Sequence, residues 1–161
     1  MIVAPDAGAL VATRALAKKI NCSRIAIIDK RRPTDNESEV IHVVGVEYFE
    51  GAKKIALFID DMVDTASTLV KGAAAINEKG AREIYSAVTH PVLSGPAIER
   101  LNESVIKKLF VGDTIPLSQE KRIDKIIAVS LIKFVAKAVY LIHNEDSVSQ
   151  LFNQPIDLAK L

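Results

Sequence analysis

Between Leu57 and Leu69 an apolar run ends in two adjacent carboxylates, Asp60 and Asp61, and a third, Asp64, leads into Thr65, Ala66, Ser67 and Thr68. Ionised aspartates only accept hydrogen bonds, so they suit vicinal sugar hydroxyls or a hydrated magnesium ion and repel a phosphate. The hydroxyls of Thr65, Ser67 and Thr68 can donate. If a helix starts at this point, its unpaired backbone N–H groups and dipole make an anion site. A grip on hydroxyls beside a grip on phosphate describes a site for a sugar phosphate. The plain alternative is a set of solvated acids with Thr68 as an N-cap.

Such a loop needs a strand before it and a helix after it, and the pattern along the chain supplies both. "KKIALFI" is a short apolar run of buried-strand type, and "TLVKGAAAINEKG" places Leu69, Ala73 and Ile76 on one helical stripe, with Gly80 as its C′ residue. The same alternation recurs on either side. "MIVA", "RIAIID", "REIYSAV", "VIKKLFV" and "KIIAVS" read as strands, and "VIHVVGVEYF" has the β-branched content of one or two more, interrupted at Gly45. "ALVATRALAKKI" aligns Ala9, Ala12, Leu16 and Ile20; "SGPAIERLNES" reads as a helix with Ser94 as N-cap; "LIKFVAKAVYLIH" aligns Leu131, Val135, Ala138 and Ile142. Near the end, Ser147 and Gln150 have capping-box spacing. The polar stretch Lys30–Glu39 contains almost nothing apolar and is expected to be a mobile loop. Strands alternating with helices imply right-handed crossovers: an α/β fold with a mostly parallel twisted sheet and helices on both faces. In such sheets ligands bind at the carboxyl ends of the strands. Three polar clusters follow strands: "PDAG" with Asp6, "DKRRP" with Lys30 and Arg32, and the acidic loop.

The totals narrow the function class. A chain of 161 residues with 49% hydrophobic and 25% charged residues has the composition of one globular domain. A net charge of +1 with scattered basic residues gives no general pull toward nucleic acid or an anionic membrane. A single cysteine, Cys22, excludes an internal disulfide. His42, His90 and His143 stand apart without zinc-ligand spacing. No apolar run approaches the roughly 20 residues of a membrane span, and the cytoplasm is the expected setting.

"IDDMVDTAST" resembles the phosphoribosyl diphosphate (PRPP) motif of type I phosphoribosyltransferase-fold proteins. Within that fold, "VAPDAGALVATRALAKK", "IAIIDKRRP", "GAREIYSAVTHPVLSGPAIERL", "DTIPL" and "SVSQLF" are similar, in order, to the C-terminal half of ribose-phosphate diphosphokinases. The resemblance runs from Ile2 to about Phe152. It implies a phosphoribosyltransferase-like domain over residues 1–152, a tail over 153–161, and a missing N-terminal half. It also implies a reaction: ATP gives its diphosphoryl group to the 1-hydroxyl of ribose 5-phosphate, releasing AMP for nucleotide biosynthesis. By matching motif positions, Asp60 and Asp61 would bind the ribose hydroxyls, and Asp64, Thr65, Ala66, Ser67 and Thr68 the 5-phosphate. Asp6 would help hold Mg2+, and Lys30 with Arg32 would be the catalytic pair. Without the resemblance, "DKRRP" reads as an exposed basic turn and Asp6 as an Asx turn after Pro5. ATP and ribose 5-phosphate are the implied ligands and a homo-oligomer the implied assembly.

Three residues depart from the family pattern. Ala9 stands where the family has a second glycine, Ala12 where an arginine is common, and Ser67 where the phosphate loop has glycine. A left-handed Ser67 would be strained by about 1–2 kcal/mol, and Ser67→Gly is then expected to tighten sugar-phosphate binding. The isolated chain is expected to bind substrate weakly and to be inactive or nearly so. The alternative is a nonenzymatic relative that regulates or binds a partner synthetase. A base-using phosphoribosyltransferase would share the acidic loop but neither "DKRRP" nor "SGPAIER".

Overall fold

The computed structural model of the chain describes residues 1–31, 40–45 and 55–152. Seven strands form one sheet: β1 (Ile2–Ala4), β2 (Ile25–Arg31), β3 (Val40–Val44), β4 (Ile55–Val63), β5 (Glu83–Pro91), β6 (Ile106–Gly112) and β7 (Ile126–Val129). Their spatial order is β3-β2-β1-β4-β5-β6-β7. Every pairing is parallel except β2 with β3, which is antiparallel. Strand order runs outward in both directions from β1 and β4, so the topological switch point lies between them. Open parallel sheets bind ligands there, beyond the carboxyl ends of the two strands.

The helices are α1 (Leu10–Lys19), α2 (Ser67–Glu78), α3 (Ala97–Glu103) and α4 (Ile132–His143). Right-handed crossovers on the two sides of the switch point place α1 and α2 on opposite faces. α2 buries Leu69, Gly72, Ala73 and Ile76, the stripe expected from spacing plus one glycine. Gly72 is needed for contact: a Cβ there would stand 3.3 Å from the Phe58 ring and 3.4 Å from Ile28. Removing that side chain lets the helix approach the largest fully buried residue, Phe58. α2 ends as expected, with Gly80 at φ 101° and its N–H on the Asn77 carbonyl. α3 is closed by a lysine from outside: Lys125 Nζ donates to the carbonyls of Leu101, Asn102 and Ser104.

Three expectations shift. α1 buries Thr13 and Ala17, with Ala9 buried at its N-cap, while Ala12 is exposed. These small residues at spacing of four let α1 sit close to β1 and β2, and they outweigh the larger but scattered apolar side chains. Lys30 and Arg31 belong to β2, paired with Ile41 and Val40, because an adjacent strand satisfies their backbone groups whatever their side chains. The remainder of the expected mobile loop, including Arg32, lies outside the described residues. Helices do lie on both faces, but the cover over β7 is incomplete. In α4 only Leu141 is buried, and Val135 and Ile142 of the expected stripe are 53% and 64% exposed. Ile127 and Val129 of β7 are also exposed. No described helix is long and apolar enough to cross a membrane.

Candidate functional site

The residues after β1 and after β4 converge at the switch point. Asp6, Asp60, Asp64, Thr65, Ala66, Ser67 and Thr68, with Met62, Val63 and Leu69, line one cleft of about 180 Å³. Seven of the ten residues assigned from sequence are therefore brought together. Asp61 is exposed, and its side chain lies outside that lining because alternate residues of a strand face opposite ways. Its backbone N–H donates to Asp60 Oδ1 at 3.0 Å. Lys30 sits near the carboxyl end of β2, two strands from β4 and on the same edge of the sheet. Arg32 lies outside the described residues.

The two acids expected to open a loop are instead the last part of β4. Asp60 pairs with Val88 and Met62 with His90. That ladder holds Asp60 half-buried at the sheet edge. Burial pushes its pKa up, from 3.8 to about 6, and the negative charges of Asp6 and Asp61 push the same way, against the Asp61 N–H bond. A carboxylate crowded by two others is a place for hydroxyl donors or a cation. Asp6 also has a local role, with Oδ1 accepting the Ala9 N–H at 3.0 Å, so the Asx-type turn is present. Its second oxygen is not used in that bond. Among the described residues no three metal-ligating side chains cluster. Magnesium commonly takes only one or two carboxylates and completes its shell with water and substrate oxygens, and Asp6 with Asp60 in one cleft fits that donor set.

The helix that follows begins at Ser67, with Ala66 as its N-cap in the left-handed region, φ 58° and ψ 3°. No side chain caps it, so the first N–H groups of α2 are left for an anion at the mouth of the cleft. The strain expected at Ser67 is located one residue earlier. Ser67 is the first helical residue and does not have positive φ; Ala66 does. Ala9, the other departure from glycine, has φ −75° and carries no such strain.

Sequence reasoning missed what supports this loop. Ser94 was expected to cap α3, yet the residue before that helix is Pro96, and the Ser94 hydroxyl donates to Asp64 Oδ1. Arg100 Nη1 donates to the Thr65 carbonyl at 2.9 Å. The signal that was available is the compact "SGPAIER" string, which brings a hydroxyl and a guanidinium together within seven residues, just beyond the end of a strand. At the end of β5, His90 Nδ1 lies 2.9 Å from Thr114 Oγ1, and that hydroxyl donates to the Thr89 carbonyl at 2.9 Å. With its proton committed, the hydroxyl accepts from His90, which fixes the Nδ1–H tautomer.

Residues 26–153 match the family described as the phosphoribosyl synthetase-associated domain. The chain is 50% identical over 153 residues to the ribose-phosphate pyrophosphokinase of Fusobacterium nucleatum, covering 95% of this chain and 47% of that protein. It is 49% identical over 153 residues to the ribose-phosphate pyrophosphokinase of Halalkalibacterium halodurans, with the same coverage. The crystal structure of phosphoribosylpyrophosphate synthetase from Mycobacterium smegmatis superposes with a TM-score of 0.77 at 28% identity, over 89% of this chain and 45% of that one. Orotate phosphoribosyltransferase from Aeropyrum pernix shares the fold, with a TM-score of 0.53 at 15% identity, over 86% of this chain and 64% of that one. The chain spans about half the length of the curated relatives it matches.

Proposed function

The chain belongs to the phosphoribosyl synthetase-associated domain family, and from that membership we propose that it is the sugar-phosphate-binding part of a ribose-phosphate diphosphokinase. Residues 1–152 would be that domain and 153–161 a tail. The observation that carries the reading is the cleft at the β1/β4 switch point, where an acidic strand end meets an uncapped helix N-terminus.

Ribose 5-phosphate would enter with its phosphate against the N–H groups of Ala66 to Leu69 and the hydroxyls of Thr65, Ser67 and Thr68. Asp60, and Asp61 from the rim, would accept from the ribose hydroxyls. This orients the 1-hydroxyl toward the β-phosphorus of ATP. The new bond forms between that oxygen and the β-phosphorus, the bridge to the α-phosphorus breaks, and AMP leaves as the hydroxyl proton is released. Asp6 and Asp60 would hold Mg2+, which when bound supplies charge neutralisation for the diphosphoryl oxygens. Lys30 and Arg32 would place positive charge where the transferring group gains negative charge. Positioning and charge dominate such transfers, so a domain lacking part of the ATP site binds substrate without turning it over. The family setting supports the cytoplasm as location and nucleotide biosynthesis as purpose, with a homo-oligomer as the working assembly. Neither glycine departure argues for a nonenzymatic relative, since Ala9 and Ser67 both have negative φ compatible with their side chains.

Titration of the 161-residue chain with ribose 5-phosphate, followed by amide chemical shifts, tests the reading. Shifts at residues 60–69 are expected, and no binding would reject it. ATP-dependent AMP release by this chain alone is expected to be absent, and turnover at ordinary enzyme rates would overturn the claim that it is catalytically incomplete.

A further inference from the structure

We propose that Ser94 and Arg100 are positioning residues that hold the sugar-phosphate loop from behind, and that Asp64 is a strut of that loop and not a ligand of the phosphate. The inference rests on the sugar-phosphate reading of the cleft and assigns parts that the reading leaves open.

The β4/β5 ladder ends with Val63 opposite Pro91. Beyond it the two chains stay joined. The Leu93 N–H donates to the Val63 carbonyl at 3.1 Å, and the Ser94 N–H to the Asp64 carbonyl at 3.1 Å. The Arg100 guanidinium then takes the Thr65 carbonyl at 2.9 Å. Three successive carbonyls of the loop are thus held by one segment, Leu93 to Arg100. Leu93 reaches this place in the left-handed region, φ 52°, while 1% exposed. A buried leucine tolerates that conformation only where its surroundings impose it.

The consequence follows from the planar trans peptide, in which C=O and N–H point in opposite directions. Fixing the Asp64 carbonyl toward Ser94 turns the Thr65 N–H away from Ser94. Fixing the Thr65 carbonyl toward Arg100 turns the Ala66 N–H away from Arg100. The donors of the loop are aimed by bonds made to its acceptors. Asp64 is the complement of this arrangement. A carboxylate beside a phosphate cradle would repel the ligand, but its Oδ1 accepts the Ser94 hydroxyl, which ties the acid to the supporting segment. Arg100 places a positive charge on the Thr65 carbonyl at the back of the loop. A lysine would keep the charge and lose the planar fork that fixes the direction of the bond.

The experiment is ribose 5-phosphate titration of the 161-residue chain and of Arg100→Ala, Arg100→Lys and Ser94→Ala, with Tm and amide hydrogen exchange at Thr65 and Ala66 recorded for each. Arg100→Ala is expected to weaken binding about tenfold, in line with loss of a charge-assisted hydrogen bond. Arg100→Lys should recover part of the affinity, and exchange at Ala66 should rise in the alanine variant before any fall in Tm. Ser94→Ala should weaken binding about threefold and carries the test if Arg100→Ala does not fold. Equal affinity across the wild-type chain and the folded variants overturns the proposal and leaves the sugar-phosphate reading standing. Loss of affinity that follows Tm alone, with no rescue by lysine, overturns it as well. A wild-type chain that binds no ribose 5-phosphate overturns the reading itself, and the positioning role with it.

Discussion

α2 and α4 are both twelve-residue helices rich in apolar side chains, and they meet opposite conditions. α2 buries four residues against Phe58, Ile28 and the centre of the sheet, and its first residue opens onto the cleft. α4 buries Leu141 and leaves Ile132, Val139, Tyr140 and Ile142 more than half exposed. The sheet repeats the contrast. β4 buries Ala56 and Phe58 completely, whereas β7 exposes Ile127 and Val129. A parallel sheet normally has both faces covered. The cleft side of this chain meets that requirement by itself and the β7/α4 side does not, which suits a domain spanning about half of its curated relatives. The loop after β4 is held by hydrogen bonds from Leu93, Ser94 and Arg100, whereas α4 carries a series of exposed apolar side chains.

The largest effect should come from cutting the well-packed side. Phe58→Ala is expected to cost about 3–5 kcal/mol in chemical denaturation, since it empties a site between α2 and the sheet. Val139→Lys on α4 should change stability by no more than about 0.5 kcal/mol and reduce concentration-dependent association in light scattering. A large cost for the α4 change would mean that this helix is packed as well as α2, and the contrast would fail.

Asp60 tests whether the cleft is built for ligand at the expense of stability. Its pKa is raised from 3.8 to about 6, first by burial. The folded state therefore holds a proton that the unfolded chain has already released. Across roughly pH 4 to 6 this contribution to stability falls as pH rises, and it is fully lost above the folded pKa. In the proposed function the ionised form is the better acceptor for sugar hydroxyls, so affinity should move the other way over the same window. Asp60→Asn should flatten the stability profile, raise Tm at pH 7 by on the order of 2–4 °C, and weaken ribose 5-phosphate binding at least tenfold, the scale of a lost charge-assisted hydrogen bond. The ligand's own phosphate titrates nearby, so the comparison is between the two proteins and not between two pH values. A Tm that drops in Asp60→Asn would show that the acid stabilises the fold.

Much of this contrast was legible in the residues. The α2 stripe, Gly80, the strand alternation and the gathering of Asp60 with Thr65–Thr68 follow from spacing, because a period of 3.6 or 2 leaves a trace in any window. Four things left little or no local trace. Lys30 and Arg31 are strand residues only because β3 lies beside them. Ala12 loses its place on the α1 stripe because helix depth is set by Ala9, Thr13 and Ala17 against the sheet. Val135 and Ile142 are apolar and exposed because what faces α4 depends on the rest of the fold. Ser94 acts 30 residues away, through its N–H on the Asp64 carbonyl and its hydroxyl on the Asp64 carboxylate, and Arg100 acts 35 residues away, on the Thr65 carbonyl.

The smallest prediction concerns the turn between β4 and α2, where the left-handed conformation considered for Ser67 belongs to its neighbour Ala66. Ser67 is helical, and the left-handed position is filled by Ala66 at φ 58° and 4% exposure. Replacing Ala66 by glycine removes a Cβ from a conformation that costs an L-residue about 1–2 kcal/mol, but glycine also gains freedom in the unfolded chain. The net gain is expected to be about 0.5–1 kcal/mol, with little change in ribose 5-phosphate affinity because the N–H directions are set by Ser94 and Arg100. Ser67→Gly has no strain to relieve. It places glycine at the first position of a helix and removes a hydroxyl from the cleft, so stability should fall by about 0.5 kcal/mol and affinity should fall with it. If Ser67→Gly tightens binding instead, the serine is not a ligand, and the close approach of phosphate to the loop is limited by its side chain. The two variants share one turn and differ by one position, so opposite signs in a denaturation series would fix which residue carries the strain.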